Sequence, residues 1–165
     1  MMHTVMKSSG MRRKIVLSLA ALAVLAAVTG AQARTSVWDG VYTDGQAERG
    51  NSQFQQHCAR CHGAGLAGTF EIPPLIGRFV PYWAGTTLDV LFDYISNAMP
   101  QDRPGSLSRA VNADITAFIL KTNGFPAGAK ELSTESDDQK AIGFDAVKPA
   151  DTTTMPVKKK RAKTR

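Results

Sequence analysis

The chain is poor in cysteine and histidine for its length. Its 165 residues include two cysteines and three histidines, and each scarcity removes a class of protein. The cysteines, Cys58 and Cys61, stand three positions apart. A disulfide framework needs more of them, spread along the chain. No second Cys/His cluster is present to complete a structural zinc site, which draws its ligands from two separated segments. Nothing strand-like precedes Cys58, so a thioredoxin-like pair lacks its βαβ setting. Charge is uneven as well. Residues 1–33 have no acid, and Lys158-Lys159-Lys160-Arg161 with Lys163 and Arg165 close the sequence. Between them, residues 34–155 hold ten basic and fourteen acidic side chains, a formal −4 inside a chain of formal +6. The high overall pI therefore belongs to the ends and does not argue for nucleic-acid binding.

What is present begins with a leader. Arg12-Arg13-Lys14 precedes an apolar run from Ile15 to Val28, and Ala31-Gln32-Ala33 follows. These are the three parts of a secretory signal peptide, with cleavage expected after Ala33. Fourteen residues span about 21 Å as a helix, short of a hydrocarbon core of about 30 Å. An uncleaved leader acting as a membrane anchor is the alternative. The expected location is the periplasm, with Arg34 as first residue of the exported chain.

Cys58-Ala59-Arg60-Cys61-His62 is C-x-x-C-H, the attachment signature of c-type haem. Two thiols on one helical turn reach the two vinyl groups of a porphyrin, and the next residue offers its imidazole to the iron from the same side. One covalent haem c is thus expected on Cys58 and Cys61, with His62 as an axial ligand. Met, a second His, Lys or an open position can complete the axial pair. His57 adjoins Cys58 and cannot cross the porphyrin plane. Four of the six methionines precede Ala33. Met155 sits in a polar stretch beside the basic run, and Met99 lies 37 residues after His62 at the end of an amphipathic pattern. Met99 is therefore the expected sixth ligand, against the ordinary role of methionine as core filler. Filling both axial sites disfavours chemistry on a substrate at iron, and an electron carrier rather than an enzyme is expected. The rivals are a haem enzyme or gas sensor with an open distal site, and a non-haem module whose cysteines pair or bind zinc.

The periodicity is helical throughout. Thr43-Asp44-Gly45-Gln46 has the form of a capping box and opens a first helix toward Cys58, with Gly50 and Phe54 on one face. Gly63–Arg78, rich in Gly and Pro, reads as loop. Leu88, Leu91, Phe92, Ile95 and Met99 line one face of a second helix capped by Thr86 or Thr87. A third starts near Ser108 with Val111, Ile115, Phe118 and Ile119 as its stripe, and Asn123-Gly124 and Pro126 end it.

On these residues, positions 41–125 resemble the class I cytochromes c. Gly50-x-x-x-Phe54-x-x-x-Cys58 is similar to that family's first helix, and Pro73-x-Leu75-x-Gly77 to its P-x-L-x-G segment. The resemblance implies an all-α fold, three main helices and loops wrapped round one covalent haem, with Phe118 against Gly50 and Phe54. It also implies that the Pro73 carbonyl accepts the Nδ1–H of His62, that Met99 is the distal ligand, and that Tyr82 and Trp83 lie where a haem propionate is often bonded. Simple aromatic packing is the other reading of that last pair. Val41–Gly50, Met99-Pro100 with Pro104–Ser108, and Asn123–Gly128 resemble more closely the monohaem domains associated with pyrroloquinoline-quinone-dependent (quinoprotein) alcohol dehydrogenases. In that subgroup an extension like Glu131-Leu132 and Ile142–Phe144 folds back on the haem domain. Two positions depart from it: Arg109 follows Ser108 where acids are usual, and Asn112 stands in place of an aromatic.

The organisation expected is a signal peptide (1–33), an N-terminal segment (34–40), a haem domain (41–126), an extension packed on it (127–145) and an unstructured basic tail (146–165). The function implied is single-electron transfer from a dehydrogenase, taken as a quinoprotein, to an oxidase or another cytochrome of the respiratory chain. The basic tail suits an acidic partner or weak contact with anionic lipid, worth about 1 kcal/mol per basic residue, or serves only to solvate the chain's end.

Overall fold

A computed structural model of the chain describes residues 34–149. The expected leader, the basic run and Met155 lie outside the described residues. Among the described residues, six α-helices and two very short strands follow in order: β1 (Thr35–Ser36), α1 (Asp44–His57), α2 (Ala59–His62), α3 (Phe79–Trp83), α4 (Leu88–Ala98), α5 (Arg109–Thr122), α6 (Ser136–Lys140) and β2 (Ile142–Gly143). This is the all-α class I cytochrome c fold, and α1, α4 and α5 are its long members. None of the described helices is long and apolar enough to cross a membrane.

Thr43 caps α1, its hydroxyl accepting the Gln46 N–H at 3.1 Å. The other half of the expected capping box does not form. Gln46 is buried, and its amide donates to the Leu132 carbonyl (3.1 Å) and accepts the Leu132 N–H (2.7 Å). A bond across 86 residues thus replaces a local one, because a buried amide needs both partners and the backbone at Leu132 supplies both. Ser108 caps α5, its hydroxyl accepting the Val111 N–H at 3.3 Å. Thr87 occupies the N-cap position of α4 but caps no N–H; its hydroxyl donates to the buried Asp89 carboxylate.

α1 packs on α5 at close range, and Gly50 permits it. A Cβ there would run into the Asp114 carbonyl and sit 3.0 Å from the Phe118 Cβ. Four residues on, Phe54 is fully buried with its ring centroid 5.3 Å from that of Phe118. Burying such a ring stabilises by roughly 1.5–3 kcal/mol. Arg49 lies beside this seam, bonded to Asp114 at 2.9 Å and to Glu131 at 3.0 Å.

The chain after Phe125 returns over the helices. Tyr42 donates to the Phe125 carbonyl at 2.5 Å, and the Gly128 N–H donates to the Tyr42 carbonyl at 2.6 Å. Leu132 and Phe144 enter the core. β2 pairs in parallel with β1, and Phe144 exchanges backbone bonds with Thr86 and Gly85. Arg109, which stands where acids are usual in the first turn of α5, reaches across to the C-terminal extension. Its guanidinium donates to the Thr134 carbonyl (2.7 Å), bonds Ser136 (3.0 Å) and lies over the Phe92 ring. Asn112 is buried and its side chain donates to the Leu107 carbonyl at 3.4 Å, while its amide oxygen has no partner among the described residues.

Candidate haem-binding site

α1 ends where the motif begins. Cys58 closes α1 through its N–H to Phe54 (2.8 Å) and opens α2, where its carbonyl accepts from Cys61 (3.1 Å) and His62 (3.0 Å). Both sulfurs and the imidazole thus belong to one hydrogen-bonded turn anchored to the Phe54–Phe118 contact. Both cysteines are free thiols; Cys58 is half-buried and Cys61 exposed. Burial, and secondarily the neighbouring Cys61, pushes the Cys58 thiol up to about 11, so in the unattached chain it is a neutral thiol at neutral pH.

His62 Nδ1 lies 3.1 Å from the Pro73 carbonyl. A carbonyl can only accept, so this contact puts the proton on Nδ1 and leaves the Nε2 lone pair for a metal. The same bond orients the ring and raises its basicity as a ligand. The contact falls on the carbonyl of Pro73, the first of the two adjacent prolines Pro73-Pro74.

The loop that presents Pro73 is held from three sides. Gly68 N–H donates to the His62 carbonyl (2.9 Å) and Thr69 N–H to the Ile72 carbonyl (2.9 Å). Gly68 has φ of +66°, and a Cβ there would strike the Ile72 carbonyl and the Pro73–Pro74 backbone. Leu75 N–H donates to Leu66, a buried residue that itself sits at φ +60°. The Leu75 carbonyl accepts from the Asn123 side chain at 2.8 Å. Gly68, Leu66 and Asn123 were not singled out as site residues in the sequence. Asn123 read only as a helix stop, and its place before Gly124 held no hint of a partner 48 residues away.

Met99 ends α4, its N–H bonded to the Ile95 carbonyl at 3.1 Å, and is half-buried beside the buried Pro100. Leu88, Leu91, Phe92 and Ile95 on the same helix are buried. Trp83 packs against the core, with ring centroids 6.3 Å from Phe79 and 5.6 Å from Tyr94. Tyr82 is 78% exposed and stands edge-on to Trp83. Among the described residues neither makes a side-chain hydrogen bond. Arg60, inside the motif, bonds Asp102 of the loop after Met99 at 2.8 Å.

This set fits a covalent haem: two unpaired thiols on one turn, and an imidazole whose outer nitrogen is already engaged. When bound, the group supplies one-electron redox chemistry at iron.

The sequence comparisons agree with that fit. Residues 45–119 match the family described as cytochrome c oxidase, cbb3-type, subunit III. The chain is 29% identical over 100 residues to the cbb3-type cytochrome c oxidase subunit CcoP of Azospirillum sp. (strain B510), covering 51% of this chain and 33% of that protein. It thus spans about a third of the length of the curated relative it matches. Among solved structures it is similar to the sulfane dehydrogenase SoxCD of Paracoccus pantotrophus, at 23% identity and a TM-score of 0.43, over 78% of this chain and 74% of that one. The sequence comparisons name an oxidase subunit and no quinoprotein dehydrogenase. They support a class I c-type cytochrome domain, and its cofactor is covalently bound haem c.

Proposed function

We propose that the chain is an exported monohaem electron carrier, with haem c attached through Cys58 and Cys61 and the iron held by His62 and Met99. The observation that carries this reading is the Nδ1 contact of His62 with Pro73 directly after two free thiols. It aims the imidazole at a metal on the side of the two thiols, and among the described residues no group of three or more His, Cys, Asp or Glu side chains could hold zinc there. Met99 supplies a thioether at the far end of the α4 stripe, where a soft ligand favours ferrous iron and raises the potential relative to a second imidazole. With both axial positions filled, the domain transfers electrons rather than acting on a substrate.

The donor in this reading is a dehydrogenase, a quinoprotein by the resemblance of residues 41–145, and the acceptor is a respiratory oxidase or another cytochrome. The match to an oxidase subunit family supports the respiratory setting. Tyr82 and Trp83 are assigned to the propionate side of the site. The leader places the domain in the periplasm, and the basic tail adds weak contact with an acidic partner or an anionic membrane surface.

The test is rapid mixing of the oxidised holoprotein with a reduced quinoprotein alcohol dehydrogenase, following the haem bands. Second-order reduction that slows with added salt, followed by reoxidation by a cbb3-type oxidase preparation, is expected, since charge steers such encounters. Ready binding of carbon monoxide to the reduced protein with no reduction by any dehydrogenase would overturn the carrier reading in favour of an open haem site.

A further inference from the structure

The loop that carries Met99 is thinly held. After Pro100 the chain makes two turns of its own, with Arg103 N–H to the Pro100 carbonyl (2.9 Å) and Ser106 N–H to the Arg103 carbonyl (3.2 Å), and residues 101–106 are all exposed before Leu107 packs back on the core. Across this stretch, one side-chain hydrogen bond reaches another part of the described structure before Leu107: Arg60 to Asp102, at 2.8 Å. Its two ends are separated by 42 residues. One lies between the two cysteines, the other three residues after Met99. An otherwise untied exposed segment opens locally at low cost, and one tie across it changes the open population without changing global stability.

We propose that Arg60 and Asp102 form a latch that holds the Met99 loop to the haem-attachment turn, so that Asp102 and Arg60 are positioning residues for the distal ligand. The inference rests on the reading of Met99 as that ligand. Arg60 is free for this role because the spacing of the motif fixes Cys58, Cys61 and His62 and leaves its second intervening position to point outward. Arg60 is 75% exposed and Asp102 46% exposed in their side chains, so the pair adds little to overall stability and is screened by salt. Its effect is local: breaking it raises the fraction of time Met99 is away from the iron.

The experiment is binding of free imidazole to the oxidised holoprotein, read as loss of the weak far-red sulfur–iron band. Wild type is compared with Asp102→Asn, Arg60→Gln, Arg60→Lys and the charge-swapped pair Arg60→Asp with Asp102→Arg. Asp102→Asn and Arg60→Gln should bind imidazole about two- to fivefold faster, with an unchanged unfolding temperature. Arg60→Lys and the swapped pair should return most of the difference. Added salt should speed the wild type toward the single variants and leave them unaffected. Asp102→Asn lies outside the attachment motif, so it tests the latch even if changes at Arg60 impair haem attachment. Equal rates in wild type and Asp102→Asn, with the band present in both, would overturn the latch and leave the Met99 reading intact. A wild type without the band would overturn both.

Discussion

Removing the Phe144 side chain measures how far the C-terminal extension belongs to the haem domain. Phe144 is fully buried, with ring centroids 6.2 Å from Phe79 and 5.5 Å from Phe125, and its backbone bonds Gly85 and Thr86. Through Phe79 this cluster touches Trp83, and through Phe125 it reaches the Tyr42 hydroxyl. Phe144→Ala deletes a ring from the middle of that chain of contacts. Two aromatic walls and a strand pairing keep the site from collapsing fully, so the loss should be about 3–5 kcal/mol. For a domain the size of residues 34–149, that lowers the unfolding midpoint by roughly 12–20 °C. The assay is thermal unfolding of the holoprotein by circular dichroism, beside Val147→Ala, an exposed neighbour. The control should move stability by less than about 0.5 kcal/mol. A loss under about 1 kcal/mol in Phe144→Ala would refute the reasoning and make the extension a loosely attached strand.

Other outcomes follow from the same contacts. Gly50→Ala should cost at least about 1–3 kcal/mol by forcing α1 off the Asp114 backbone, read as a lowered unfolding midpoint in denaturant. Gly68→Ala should push the Pro73 carbonyl away from His62, weaken the ring as a donor ligand and raise the reduction potential by up to about 60 mV in a spectroelectrochemical titration. An unchanged potential would mean that the loop absorbs the methyl without moving Pro73. The Tyr42 hydroxyl is pushed up to about 12, chiefly by burial and secondarily by Asp44, from 10.0. Because the folded state holds this proton more tightly, its stabilising share is complete below pH 10.0 and is lost as pH rises to about 12. Tyr42→Phe should remove that fall, seen as a flatter dependence of unfolding temperature on pH over the same window.

The sequence was most readable where chemistry and helix spacing coincide. Cys58, Cys61 and His62 were expected together because thioether attachment demands that spacing, and the structure sets them on one turn; Phe54 and Gly50 were legible because their face repeats every four residues. The start of α5 near Ser108 was legible in the stripe Val111, Ile115, Phe118 and Ile119. What stayed hidden was every long-range partner. Gln46 looked like half of a capping box, but its amide is used by Leu132, and no local pattern carries that choice. Arg109 looked misplaced on a helix N-terminus, yet Thr134, Ser136 and Phe92 receive it. The pairing of Thr35–Ser36 with Ile142–Gly143 involves two residues on each side, too few to leave a period-two signature. The short helices α3 and α6 are likewise set by tertiary contacts more than by propensity.

The central claim is a haem iron held between His62 and Met99, and an absorption spectrum tests it most directly. The oxidised and reduced holoprotein should be recorded beside Met99→Ala, both matured with covalent haem. The account predicts low-spin bands and the weak far-red sulfur–iron band in wild type, with a high-spin spectrum and no such band in Met99→Ala. A wild type that is already high-spin, or a Met99→Ala spectrum identical to it, would contradict the account.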